Sequence, residues 1–179
     1  VLEFGLDLGV PRERIRAVAL TYDELNGRWW HNEPPQEARY MTFDDGELTV
    51  SDGKAQVVRE LLGNQAGRTL LIGDGYSDLL GATAVDLFIG YGGVVHRPQV
   101  AAQAPIYLHD ESLAPLLALA AGPAMLRKRQ TDTSPYREVI DKAFQLIQTG
   151  AMTFQDERLK QKFYGALNTS YQTIHPRTY

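Results

Sequence analysis

Leu70-Leu71-Ile72-Gly73-Asp74-Gly75-Tyr76-Ser77-Asp78 is an apolar run that breaks into a glycine-flanked turn holding two carboxylates. A short, continuous apolar run such as Thr69 to Ile72, stopping at a glycine, has the pattern of a buried parallel strand. Ser77 to Ala82 can follow it as a short helix. Ligands in open α/β sheets gather at strand carboxyl ends, which is where Asp74 falls, with Asp78 in the helical turn behind it. Two acids so spaced can meet one hard cation and its neighbouring groups. Magnesium is the physical fit, because it takes a few oxygen ligands and keeps water and substrate phosphate for the rest. The plain alternative is a Gly-Asp-Gly turn with two solvated acids. The strand before it and Ser77-Asp78 after it favour a site, since a motif is only as good as its context.

Working outward, Val85 to Ile89 predicts a second buried strand, Tyr91-Gly92-Gly93 a loop, and the segment from Pro98 a short helix. A brief strand near Ile106 to Leu108 and an apolar helix from Ser112 to Ala121 come next. Helix and strand alternating in this order imply α/β crossovers and a parallel sheet. On the other side, Asp52-Gly53-Lys54 opens a helix whose Val57, Val58, Leu61 and Leu62 share one face, with Gly63 and Gly67 as stops. A lysine at a helix start places an ammonium where the helix terminus already favours an anion. Taken alone, that is far commoner on ordinary surfaces than in sites.

Further upstream the pattern becomes short and hairpin-like. Ile15 to Tyr22 reads as a strand followed by Asn26-Gly27, a strong turn signal, and Arg28-Trp29-Trp30. A second pair, Tyr40 to Phe43 and Glu47 to Val50, is expected to turn at Asp44-Asp45-Gly46. Leu2 to Leu8, closed by Gly9-Val10-Pro11, reads as the end of a helix. Downstream, Gly122-Pro123 is the first plausible domain boundary, so residues 122–179 are expected to be a helical appendage. Ser134 and Pro135 start a helix with Val139, Ile140, Ala143, Phe144 and Ile147 on its buried stripe and Gly150 as its stop. Thr153 is expected to cap a second, with Asp156 in its third position and Leu159, Phe163, Ala166 and Leu167 on its stripe.

The chain has 179 residues and no cysteine, which excludes disulfide frameworks, thiolate metal sites and cysteine nucleophiles. A reducing, cytoplasmic setting is compatible with that. Its longest apolar stretches fall well short of the roughly 20 residues a membrane-spanning helix needs, so no membrane is expected; nor is a signal peptide, because Val1 to Val10 lack a basic start and carry Glu3 and Asp7. Val1 to Ala121 carries 9 basic and 17 acidic residues, net −8, whereas Gly122 to Tyr179 carries 9 and 5, net +4. So modest a basic excess is what a solvated helix face carries, and no nucleic-acid partner is expected. His31, His96, His109 and His175 have no mutual ligand spacing and read as surface or loop histidines.

A Gly-Lys helix start followed about twenty residues on by strand-Gly-Asp-Gly-x-x-Asp resembles motifs three and four of the haloacid dehalogenase superfamily. Within it the chain is similar to the phosphoserine phosphatase family. The residues that carry this are Asp52-Gly53-Lys54, Ile72 to Asp78, Ala84-Val85-Asp86-Leu87-Phe88-Ile89-Gly90-Tyr91-Gly92-Gly93 and Val95-His96-Arg97-Pro98-Gln99-Val100, together with Leu8 to Pro11 and Asn26-Gly27. The resemblance covers roughly Val1 to Ala121. It implies a Rossmann-like α/β sheet, bearing here a β-hairpin insertion, and magnesium-dependent hydrolysis of a small phosphorylated metabolite such as phosphoserine. By the same resemblance Asp74 would bind the magnesium ion and Asp78 support the metal site. Lys54 would neutralise the phosphoryl group and the aspartyl-phosphate formed in catalysis, and Gly75 and Ser77 would lie where relatives contact phosphate. Arg97 would lie in the loop on the substrate side, with no assigned role.

The departures bear equally on function. The family opens with Asp-x-Asp, nucleophile and acid/base, and no segment here matches it; Asp7-Leu8-Gly9 lacks the second carboxylate. The Ser or Thr of the second motif and the usual helical cap have no match either. Covalent phosphoryl transfer needs an attacking carboxylate, an acid for the leaving oxygen and charge neutralisation, and this stretch offers the last. Two readings follow: an enzyme whose catalytic aspartates lie upstream of Val1, with the chain by itself inactive, or a degenerate module that binds or regulates a partner. With the central strands of the family's sheet expected upstream, Thr69 to Ile72 is expected to show an unpaired edge, which a second copy or the missing part would cover. Ile15 to Val50 is then a hairpin-rich lobe outside the main sheet.

Overall fold

In a computed structural model of the chain, residues 1–23, 40–43, 46–50, 52–120 and 137–174 are described. The chain divides into two compact units, Val1–Gln65 and Ala66–Tyr179. The expected boundary at Gly122-Pro123, the Asn26-Gly27 turn, Trp29-Trp30, His31, His175 and the Ser134-Pro135 cap lie outside the described residues.

In the first unit, Leu2–Asp7 is helical (α1), as the helix-end reading expects. The strand expected from Ile15 is shorter and later: β1 is Leu20–Asp23, and it pairs antiparallel with β2, Tyr40–Phe43. This corrects the expected partner of Tyr40 to Phe43. Glu47–Thr49 is a 3-10 turn, not a strand. The Thr49 hydroxyl accepts from the Gly46 N–H (3.1 Å) and donates to the Gly46 carbonyl (2.7 Å), a local alternative to a sheet ladder. Helix α2, Gly53–Leu62, follows as expected, with Val57 buried, Val58, Leu61 and Leu62 half-buried, and Gly63 at φ +52° as its stop.

The second unit is an α/β fold. Its sheet has the order β3-β4-β5-β6, where β3 is Leu70–Gly73, β4 Leu87–Tyr91, β5 Ile106–Leu108 and β6 Met152–Phe154. The first three run parallel, with Leu70 opposite Leu87 and Ile89 opposite Ile106. Between them lie α3, Tyr76–Leu80, and α4, Pro98–Gln103. Residues 114–120 form α5, and α6, Arg137–Gln148, and α7, Glu157–Ile174, complete the unit. Among the described strands β3 is terminal, and its four residues are half-buried.

One strand was not anticipated. β6 pairs antiparallel with β5, Leu108 opposite Met152, so Thr153 lies in a strand and does not cap the last helix. The cap is Asp156, whose Oδ1 accepts from Arg158 N–H (2.8 Å) and Leu159 N–H (3.2 Å). Gly150, φ +87°, ends α6 as expected: its own N–H reaches Ile147 O and the next N–H reaches Leu146 O, the paired bonds of a Schellman turn.

The two faces of the sheet bury different sets. Ile89, Ile106 and Leu108 pack with Ile140, Phe144 and Ile147 of α6, so the amphipathic stripe read from the sequence joins the sheet's own core. Val139, the first residue of that expected stripe, is 40% exposed and stands outside it. On the opposite face Phe88 and Tyr107 pack with Val100 of α4 and with Ala104 just after it.

Candidate functional site

The site is built where β3 ends. Gly73 is the last residue of β3, paired in register with Gly90, and Asp74 follows at the carboxyl edge of the parallel strands. Gly75 is extended and starts α3, and its carbonyl accepts from the Asp78 and Leu79 N–H groups. Asp78 then turns back: its Oδ2 accepts from the Gly75 N–H at 3.0 Å. A side-chain carbon at residue 73 would run into Asp78 Cβ and Cγ. Glycine is therefore required there to let the Asp78 carboxylate fold beneath the turn that carries Asp74.

Asp74 itself points outward, and its Oδ2 accepts from Arg97 Nε at 3.3 Å. The pair is open to solvent, with the side chains 45% and 52% exposed for Asp74 and Arg97. Arg97 is the residue before Pro98, which begins α4, so it reaches the carboxylate from the loop that leaves β4. Two adjacent parallel strands thus deliver an acid and a guanidinium to one place. Ser77 lies half-buried in the first turn of α3.

Lys54 sits in the first turn of α2, in the first unit, and its side chain is half-buried. Gly53 before it is forced by packing, since a side-chain carbon there would overlap the Glu47 backbone carbonyl. The glycine of the Gly-Lys pair thus has a local reason within its own unit.

The donor set suits a hard cation. Asp74 offers a solvent-open carboxylate at a strand end, where a cation would compete with Arg97, and Asp78 braces the turn beneath. Among the described residues no three acid, His or Cys side chains cluster as a closed cage.

Sequence reasoning singled out Asp74, Asp78, Gly75 and Ser77, and the structure brings these together in one turn. It gave Arg97 no role, because the pairing with Asp74 spans 23 residues and depends on the sheet register. His96 and His109 are exposed as expected, yet each has a partner: His96 Nδ1 lies 3.0 Å from the Tyr107 hydroxyl, and His109 Nε2 lies 3.0 Å from Thr153 Oγ1.

In open α/β sheets ligands gather outside the carboxyl ends of the strands, which is where the acid turn of the second unit lies. The known proteins it is similar to are more particular. The chain is 31% identical over 107 residues to phosphoserine phosphatase of Drosophila melanogaster, covering 58% of this chain and 35% of that protein. It is 36% identical over 101 residues to the chloroplastic phosphoserine phosphatase of Arabidopsis thaliana, covering 54% and 30%. With the phosphoserine phosphatase of Mus musculus it shares 38% identity over 73 residues, 40% and 32% of the two chains. No protein-family model matches. The chain resembles phosphoserine phosphatases over part of its length, and the matched stretches span about a third of those relatives.

Proposed function

We propose that these residues carry the cation- and phosphate-handling part of a magnesium-dependent phosphomonoester hydrolase of the haloacid dehalogenase superfamily. Its substrate is a small phosphorylated metabolite of the phosphoserine kind, and the nucleophile and general acid are contributed by residues upstream of Val1. The observation that carries this reading is the turn after β3, with Asp74 at the strand end, Asp78 locked beneath it through Gly75 N–H, and a chain similar to phosphoserine phosphatases.

Asp74 would hold the magnesium ion, which supplies positive charge to a phosphoryl group in transfer. Asp78 keeps the turn in shape. By the resemblance, Lys54 would neutralise the phosphoryl group and the aspartyl-phosphate, and Ser77 and the Gly75 backbone would contact phosphate oxygens. Such charge stabilisation is commonly the largest single contribution to transfer chemistry.

The test is hydrolysis of phosphoserine and of a generic aryl phosphate by the product of the whole reading frame that encodes these residues, with magnesium and with a chelator. Magnesium-dependent release of phosphate from phosphoserine is expected. No release from either substrate would favour a non-catalytic module that binds a partner. The 179-residue chain alone is expected to show no turnover.

A further inference from the structure

Tyr107 is fully buried on β5, yet it carries a hydroxyl where phenylalanine would fill the same volume. The opposing strand is cut away to admit it. A side-chain carbon on Gly90 would lie 2.6 Å from Tyr107 Cδ2, and one on Gly92 would overlap the hydroxyl itself. The glycines of Gly90-Tyr91-Gly92 therefore form the seat of one ring. That ring delivers its hydroxyl to His96 Nδ1 at 3.0 Å, with the imidazole edge-on to it, ring centres 5.6 Å apart. A buried hydroxyl left without a partner is costly, so the arrangement binds His96 firmly to the core.

His96 belongs to a segment that otherwise faces water: Val94 is 80% exposed and Val95 44%. The next residue is Arg97, whose Nε donates to Asp74. An exposed arginine on a loose loop would pair with a carboxylate only fleetingly, since such pairs are weak and the side chain has much rotamer freedom to lose. We propose that Tyr107 is a positioning residue: through His96 Nδ1 it fixes the loop after β4 so that Arg97 is held on the Asp74 carboxylate. The guanidinium orients the Asp74 carboxylate. This goes beyond the proposed function and rests on it only in taking Asp74 as the cation-binding acid.

The Arg97 Nε–H resonance of the 179-residue chain reads the contact directly, without metal or turnover. Asp74→Asn should move that resonance in the otherwise unchanged chain. In Tyr107→Phe the same substitution should move it measurably less, because losing one hydrogen bond's worth of ordering lowers the ratio of held to free arginine about fivefold. His96→Ala, at an exposed position, should give the same loss, whereas His96→Asn, whose amide can still reach the hydroxyl, should restore most of the coupling. A purely structural tyrosine would lower stability and leave the Arg97 response to Asp74→Asn intact. An undiminished response in folded Tyr107→Phe, or in His96→Ala, would overturn the proposal, and if Tyr107→Phe does not fold the two His96 variants decide it. Magnesium titration of the unchanged chain tests the reading of Asp74 separately.

Discussion

At the scale of single residues, the turn after β3 is defined by what Gly73 leaves out. Adding a methyl group there forces Asp78 from beneath the turn, and overpacking of this kind costs about 1–3 kcal/mol. Gly73→Ala is therefore expected to lower the stability of the second unit by that amount, read as a lower urea midpoint. Asp78→Ala removes the bond to Gly75 N–H and should cost about 1–2 kcal/mol in the same urea titration. A second carboxylate has a purely structural task. Asp86 accepts from the Thr69 N–H at 2.8 Å and its hydroxyl at 3.0 Å, and these bonds, the backbone one first, hold its carboxyl below the ordinary aspartate range. Because the folded value is the lowered one, the contribution is complete above the unfolded value of about 3.9 and is lost as pH falls through the folded value. Urea midpoints measured from pH 6 downward should show an acid limb that Asp86→Asn flattens. The turn that carries Asp74 and Asp78 was legible in the sequence because strand and turn are contiguous there. The pairing of Arg97 with Asp74 and of His96 with Tyr107 was not, because it depends on neighbouring strands lying side by side in one register.

Among the elements, β4 shows why a glycine-rich stretch need not be a phosphate loop. Gly90 makes room for Tyr107, Ala104 and Val100 together. Gly90→Ala should cost about 1–3 kcal/mol, read as a lowered midpoint for the whole second unit. The parallel strands and their helices were readable because each has an uninterrupted apolar run or a helical stripe bounded by glycine or proline. The short pieces were not. Glu47 to Thr49 carries an Asp-Gly turn before it and looks like the return strand of a hairpin, but the Thr49 hydroxyl satisfies Gly46 locally and a 3-10 turn results. β6 has three residues, too few for alternation to register, and it exists because β5 offers it an edge. The same oversight moved the expected helix cap from Asp156 to Thr153.

For the molecule as a whole, the sequence's two charge halves do not follow the division into compact units, which falls at Gln65 and Ala66. Helix α6 packs its Ile140, Phe144 and Ile147 against Ile89, Ile106 and Leu108 of the sheet, so it is part of what stabilises the site-bearing strands. Ile147, 2% exposed, should cost about 2–5 kcal/mol when cut to alanine. If α6 were dispensable to the sheet, Ile147→Ala would leave the midpoint unchanged. No helix among the described residues is long and apolar enough to cross a membrane. The central claim is that this stretch supplies the charge chemistry of a phosphatase, and it is tested most directly by the rate of magnesium-dependent phosphoserine hydrolysis in the product of the whole reading frame. Asp74→Asn and Lys54→Ala are each expected to lower kcat by about a hundredfold or more, the scale for removing a group that neutralises transition-state charge. Hydrolysis at an undiminished rate in both variants would contradict the account.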